Sequence, residues 1–386
     1  MRGADRNDLA LMIGGRGLRA VSGWISMRSI AGDRQPDKSR ANNFDAVRLL
    51  AALSVVFSHS FLIADGSEAN EPFVWLTRNQ CVLGLVGVFV FFIISGYLVT
   101  ASFCRKPAPG HFAQRRFLRI YPGLVVNVLV CAFLLGPVVT SLPLQAYLAG
   151  PELSDFLYKA LTLNPGPLQL PEVLFVDNSV GLLINGSLWT LRYEVMMYIV
   201  VLILGLAGLL RLSTAIVLTG LGVTAVLFEQ HLKPFGDFGE AAWFLGFFGS
   251  GMVLYFIRDR VAFTWWGALI ALAALVVFVL IGRFIMLFPL AGAYLVIGFA
   301  RRHDRFLDYS RYFGDLSYGL YVYGWPAEEL VMWLSGGRAN WWQIFFGALG
   351  LALPAAWLSW HGIEKWALRW GNRAPVPALA SAALSD

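Results

Sequence analysis

The sequence predicts an all-α, polytopic integral membrane protein with about ten transmembrane helices and both termini in the cytoplasm. Three observations carry that prediction. Of the 386 residues, 58% are hydrophobic and only 14% charged, with a mean hydropathy of +0.63, which leaves too little polar surface for a soluble chain of this length. The apolar residues come in continuous runs of about 20, enough to span a hydrocarbon core at about 1.5 Å per residue, and not in the alternating pattern of barrel strands. Lys and Arg cluster in alternate connections, as membrane topology places them.

The runs put spans at 44–64, 82–103, 119–140, 187–209, 212–228, 238–257, 261–280, 283–300, 314–335 and 341–364. With the N-terminus inside, 24 of the 30 Lys and Arg are cytoplasmic, five are outside, and Arg192 lies within the fourth span. That asymmetry orients the bundle. It also accounts for the net charge of +6 without a nucleic-acid partner. Residues 1–42 read as a basic cytoplasmic tail, with a surface-lying amphipathic helix as the alternative. Residues 43–368 form the transmembrane domain and 369–386 a C-terminal cytoplasmic tail. Arginines interrupt "LALMIGGRGLRAVSGW", so the N-terminal stretch lacks the clean apolar core of a signal peptide; Met27 is a second candidate start. The connection over about 141–186 lies outside. Its Pro and Gly residues break any long helix, and a loop of this length is expected to act as a lid or binding wall. Cys81, Cys104 and Cys131 match no metal or redox spacing. No metal is expected.

Ionisable groups inside spans are costly and mark function by default. Arg48 and His59 are 11 residues apart in the first span, three helical turns plus about 20°, so both project from one face. Arg48 sits at the cytoplasmic edge, where it either snorkels to the interface or meets an anion. His59 lies about 16 Å further along. It is either a hydrogen-bonded structural residue or a general base, since an imidazole exchanges protons near neutral pH.

Several segments resemble the membrane acyltransferase 3 family, the O-acyltransferases that modify bacterial surface polysaccharides. The Arg-x10-His arrangement of the first helix is one. "GVFVFFIISGYLV" (87–99), "RRFLRIYP" (115–122), "SLWTLRYEVMMY" (187–198), "GDLSYGLYVYGWP" (314–326) and "IEKW" (363–366) follow in family order. Two positions depart from the family pattern. Gly324 stands where the family usually has His, and Glu364-Lys365-Trp366 replaces its Glu-Arg-Pro. The resemblance implies a multi-pass protein of the bacterial inner membrane. It would move an acyl group, acetyl first among candidates, from cytoplasmic acyl-CoA to a hydroxyl of a carbohydrate outside.

On that resemblance His59 is the base. Arg116 and Arg119 share a helix face at the cytoplasmic mouth and, with Arg48, would fork onto the phosphates of coenzyme A; positive-inside anchoring is the plainer reading of the pair. Ser95 and Tyr97 would flank the pantetheine arm, or Ser95-Gly96 is a small-residue helix contact. Glu194 either orients His59, as carboxylates do in triads, or pairs with Arg192. Trp189, Arg192 and Glu328 are expected to touch the acceptor. Two other functions fit the same composition: transport of a lipid-linked sugar or organic anion, and acylation of a small secreted molecule.

Overall fold

A computed structural model describes residues 42–164, 166–173, 183–228, 237–302, 304 and 307–373. The N-terminal tail, the C-terminal tail beyond Arg373 and part of the 141–186 connection lie outside the described residues. A helix stands at each apolar run. These are α1 (Phe44–Asp65), α2 (Leu83–Arg105), α3 (Pro109–Val130), α4 (Leu191–Leu206), α5 (Leu212–Leu227), α6 (Asp237–Phe256), α7 (Trp265–Leu280), α8 (Phe284–Ala300), α9 (Ser317–Leu334) and α10 (Trp341–Ser359). A π-turn carries α3 on to Val139, a 3₁₀ turn over Gly186–Thr190 leads into α4, and α10 runs on through a π-turn toward Arg373. Among the described residues no strand forms; Thr140 and Val173 make an isolated bridge.

Five of these segments are long and apolar enough to cross a membrane: α1, α2, extended α3, α4 with its leading turn, and extended α10. α5, α7 and α8 are apolar but shorter. α3 begins at Pro109 and not near 119, because the basic stretch Arg115–Arg119 is itself helical. The described part of the 141–186 connection is more ordered than its Pro content suggests. It holds helices Leu144–Ala149 and Pro151–Thr162, the second with Pro at its first turn, where the missing N–H costs nothing. Tyr147 is buried there and its hydroxyl donates to the Ala132 carbonyl at 2.7 Å.

α9 is too polar to meet the apolar criterion because it need not face lipid. Fourteen of its 18 residues are buried, packed among α1, α3 and α10. α1 and α9 run parallel: Arg48 pairs with Asp315 just before α9, and Ser60 meets Glu328 near its far end. α3 runs the same way, with Ile120 against Tyr318 and Asn127 against Val322. α2 runs opposite to α1. Gly87 lets the two backbones close, since a Cβ there would meet Ser54 and the Ala51 carbonyl.

Two devices satisfy polar backbone inside the bundle. Val82, the residue before α2, offers no capping side chain. The first N–H groups of the helix are taken by neighbours instead: Leu83 donates to Glu71 Oε1 at 2.8 Å and Gly84 to Ser58 Oγ at 2.6 Å. Burial pushes the Glu71 carboxyl above its usual range, against the pull of the Leu83 N–H. In α9, Pro326 has no N–H for the Val322 carbonyl one turn back. Asn127 and Asn185 both donate to that carbonyl at 2.9 Å, and Asn185 also donates to Asn127 at 3.0 Å. A freed carbonyl in a span is tolerated where neighbours re-satisfy it in this way.

Two outcomes are expected. Asn185→Leu should lower stability in detergent by about 1 kcal/mol, and less so in a Pro326→Ala background, where the restored N–H serves Val322; equal losses in both backgrounds would remove the compensation argument. Asp315→Asn should cost about 3 kcal/mol or more, because it strands two guanidiniums; an unchanged melting temperature would show that the carboxylate is not their counter-charge.

Candidate active site

The polar side chains of the bundle gather in two places, joined by one face of α9. At the Arg48 end, a cavity of about 100 Å³ opens among α1, α2, α3, α4 and α9. Arg48, Arg116, Arg119, Ser95 and Glu194 line it, with Tyr198, Tyr318 and Tyr321. Asp315 holds two of the arginines: Arg48 Nη1 and Arg119 Nη2 lie 2.9 and 2.7 Å from its Oδ2. Its Oδ1 accepts from Ser317 Oγ at 2.5 Å and Ser317 N at 3.2 Å, so the same carboxylate caps the start of α9. Arg116 differs. Its guanidinium lies over the Phe112 and Tyr198 rings at 5.9 and 5.5 Å, and its Nε is buried without a hydrogen bond. Ser95 Oγ is buried and unbonded in the same wall. Buried Glu364 lies within electrostatic reach of Arg48, Arg119 and Asp315, so three guanidiniums meet three carboxylates around a narrow slot, with Arg116 donors uncommitted.

At the other end, His59 Nδ1 stands 3.7 Å from Glu328 Oε2, an ion-pair distance longer than a hydrogen bond. Glu328 is fully buried, and its Oε1 lies 3.0 Å from Ser60 Oγ. The Trp325 ring meets the imidazole edge-on at 4.7 Å, and its indole N–H donates to the Leu183 carbonyl at 3.1 Å. Glu68 and Glu71, in the α1–α2 connection, add negative charge near His59, and burial pushes both carboxyls up. Tyr318, Tyr321, Trp325 and Glu328 follow at intervals of three and four, so they share one helical face. The lower two line the cavity and the upper two touch His59. His59 itself is not in the cavity wall.

Several placements differ from expectation. Glu194 does not face His59, and Arg192 is not its partner. Its carboxylate accepts from the Tyr198 hydroxyl one turn on, while Arg192 donates to Tyr193 at 2.7 Å and lies 3.7 Å from Glu240. Residues 192 and 194 point about 200° apart on α4, so one helix cannot aim both inward. The same geometry separates Ser95 from Tyr97, which stacks on Phe44 at 5.6 Å and lies off the cavity wall. Glu328, expected to touch an acceptor, is instead the neighbour of the imidazole. Trp189 and Arg192 line a separate cavity of about 300 Å³ with Lys159, Asn164 and Asn185. Trp189 is 41% exposed. Gly324 packs on α1 so closely that a Cβ would come within 2.7 Å of Val56 Cγ2, so a side chain there would require Val56 to move.

Sequence alone does not single out Asp315, Tyr318 or Tyr321, because each meets its partners on other helices. The three-and-four spacing up to Glu328 was a usable signal. Among the described residues no group of His, Cys, Asp and Glu could hold a metal.

Residues 42–361 match the acyltransferase 3 family, described as an acyltransferase domain. The chain is 25% identical over 342 residues to an O-acetyl transferase of Shigella phage Sf6, covering 84% of this chain and 96% of that protein. It is 26% identical over 358 residues to nodulation protein 10 of Rhizobium leguminosarum bv. viciae, covering 85% and 93%. No solved structure matches. A match across nearly all of the bundle, including both polar clusters, makes this chain a member of the acyltransferase 3 family.

Proposed function

We propose that the protein is a membrane O-acyltransferase that uses cytoplasmic acyl-CoA, acetyl-CoA first among them, to esterify a hydroxyl of an extracytoplasmic carbohydrate. The carrying observation is the row on α9 that joins an arginine-lined cavity to a buried His–Glu pair. Ten spans with both termini inside put the Arg48 end in the cytoplasm of a bacterial cell and the His59 end outside. Residues 43–368 are then the transferase domain, flanked by cytoplasmic tails. The O-acetyl transferase activity in the name of the phage relative supports acyl transfer here.

In this reading the coenzyme A phosphates enter at Arg116, whose donors are uncommitted, and at Arg48 and Arg119, which Asp315 holds in position. Ser95 Oγ faces the slot at the height of Arg48 and hydrogen-bonds the coenzyme A chain close to its phosphates. Glu328 beside Nδ1 favours the tautomer with its proton there, which leaves the Nε2 lone pair for the acceptor. His59 takes the hydroxyl proton as the oxygen attacks the thioester carbon. The C–S bond breaks, and the coenzyme A thiolate recovers the proton from His59. Trp189, Arg192 and Lys159 line the outer cavity where the carbohydrate waits. Trp325 stands between cavity and base and must turn aside for the acyl carbon to reach the hydroxyl.

The test is transfer of label from acetyl-CoA to carbohydrate in membranes of matched protein content. His59→Ala should lower the rate by about 100-fold or more, and Glu328→Gln by a smaller factor with a shifted pH profile; a His59→Ala enzyme at full rate would overturn the base. Arg116→Gln should raise the KM for acetyl-CoA about ten-fold or more with little change in melting temperature. An unchanged KM would move the donor site elsewhere.

A further inference from the structure

A second basic cavity lies at the Arg48 end of the bundle, away from the proposed reaction path. Its volume is about 520 Å³, and it sits where α6 and α8 end and α7 begins. Asn43, at the start of α1, donates to the Ala300 carbonyl at 2.9 Å, which fixes this cavity at the same end as Arg48. Four arginines line it, Arg258, Arg260, Arg301 and Arg302, against one carboxylate, Asp259.

Helix capping accounts for part of this charge. Arg258 Nη1 donates to the Tyr255 carbonyl at 2.7 Å and Arg301 Nη1 to the Arg258 carbonyl at 2.8 Å, and cations suit helix C-termini. Capping does not account for all of it. A guanidinium has five donors, and each of these bonds uses one. Among the described residues Arg302 makes no such bond. It stacks over Phe263 and Trp265 at 4.6 and 4.8 Å, which fixes its plane and leaves its edge donors for a planar or tetrahedral anion. Arg258 reaches Asp259 at 3.5 Å, on a carboxylate whose side chain is 80% exposed.

The surroundings select the anion. Trp265 and Trp266 are 71% and 77% exposed at the start of α7, the placement of indoles at a headgroup layer. From there α7 presents exposed Leu269, Leu272, Val276 and Leu280, spaced at three and four along one apolar face. We propose that this cavity binds the phosphate headgroup of an anionic phospholipid, whose acyl chains lie along α7. Basic pockets between helices at a cytoplasmic surface take such headgroups. The site requires no acyl transfer, so it stands or falls apart from the reaction proposed above.

The test uses the full-length protein, delipidated in detergent and incubated with palmitoyl-oleoyl phosphatidylglycerol, with palmitoyl-oleoyl phosphatidylcholine, with inorganic phosphate or with coenzyme A. Native mass spectrometry reads what stays bound. Wild type should retain phosphatidylglycerol under activation that strips phosphatidylcholine. The Arg301→Gln/Arg302→Gln variant should retain it about ten-fold less, and Arg338→Gln, at the other end, should match wild type. Arg260→Gln carries the same test if the double variant does not fold. Equal retention by wild type and variants overturns the proposal, as does a loss shared by Arg338→Gln. Arginine-dependent binding of phosphate or coenzyme A without preference for the lipid would overturn it in favour of a soluble anion.

Discussion

The architecture turns on one carboxylate shared by two guanidiniums. Asp315 draws Arg48 from α1 and Arg119 from α3 to the start of α9. A lone charge there would be costly in a low-dielectric bundle, so each helix is fixed to the others at this point. From that anchor the heights follow. α1 and α9 run parallel, and a rise of three turns along each brings His59 and Glu328 level. The same contact keeps two arginines turned toward the cavity while Asp315 offsets part of their charge. Fixing the bundle and shaping the cavity are one interaction.

α9 shows what such a fold allows. A helix facing lipid cannot carry three tyrosines, two glutamates and a proline over 18 residues. This one can, because α1, α3 and α10 wrap it. Pro326 breaks its own hydrogen-bond ladder one turn below Glu328's row, and two asparagines from other segments mend the break. The polar groups are therefore concentrated on the most enclosed element, where neighbours answer each one.

Legibility in the sequence followed the distance between partners. The α1 row was readable because Arg48 and His59 lie on one helix, where spacing alone fixes the face. The spans were readable because apolar runs act locally. Pairings across helices were not. Glu328 meets a residue 269 positions away, and Asp315 meets residues 267 and 196 away, distances over which periodicity carries no information. Glu194 shows the complementary limit: it lines the cavity at the Arg48 end and does not reach His59, because which face of α4 turns inward depends on packing against α2 and α3. Asn127 and Pro326 lie 199 positions apart in the sequence, and only the fold brings them to one carbonyl.

The gap between the cavity and the imidazole has a consequence for the membrane itself. Any path through a bundle set across a bilayer threatens to short-circuit the ion and proton gradients that a cell maintains. Here the slot ends at Tyr321, and the next turn of α9 presents the Trp325 ring, braced by the Leu183 carbonyl and edge-on to His59. Electrical insulation at this point rests on a few aromatic groups. A neutral acyl group can displace a ring for an instant, whereas a hydrated ion would have to shed its water to follow.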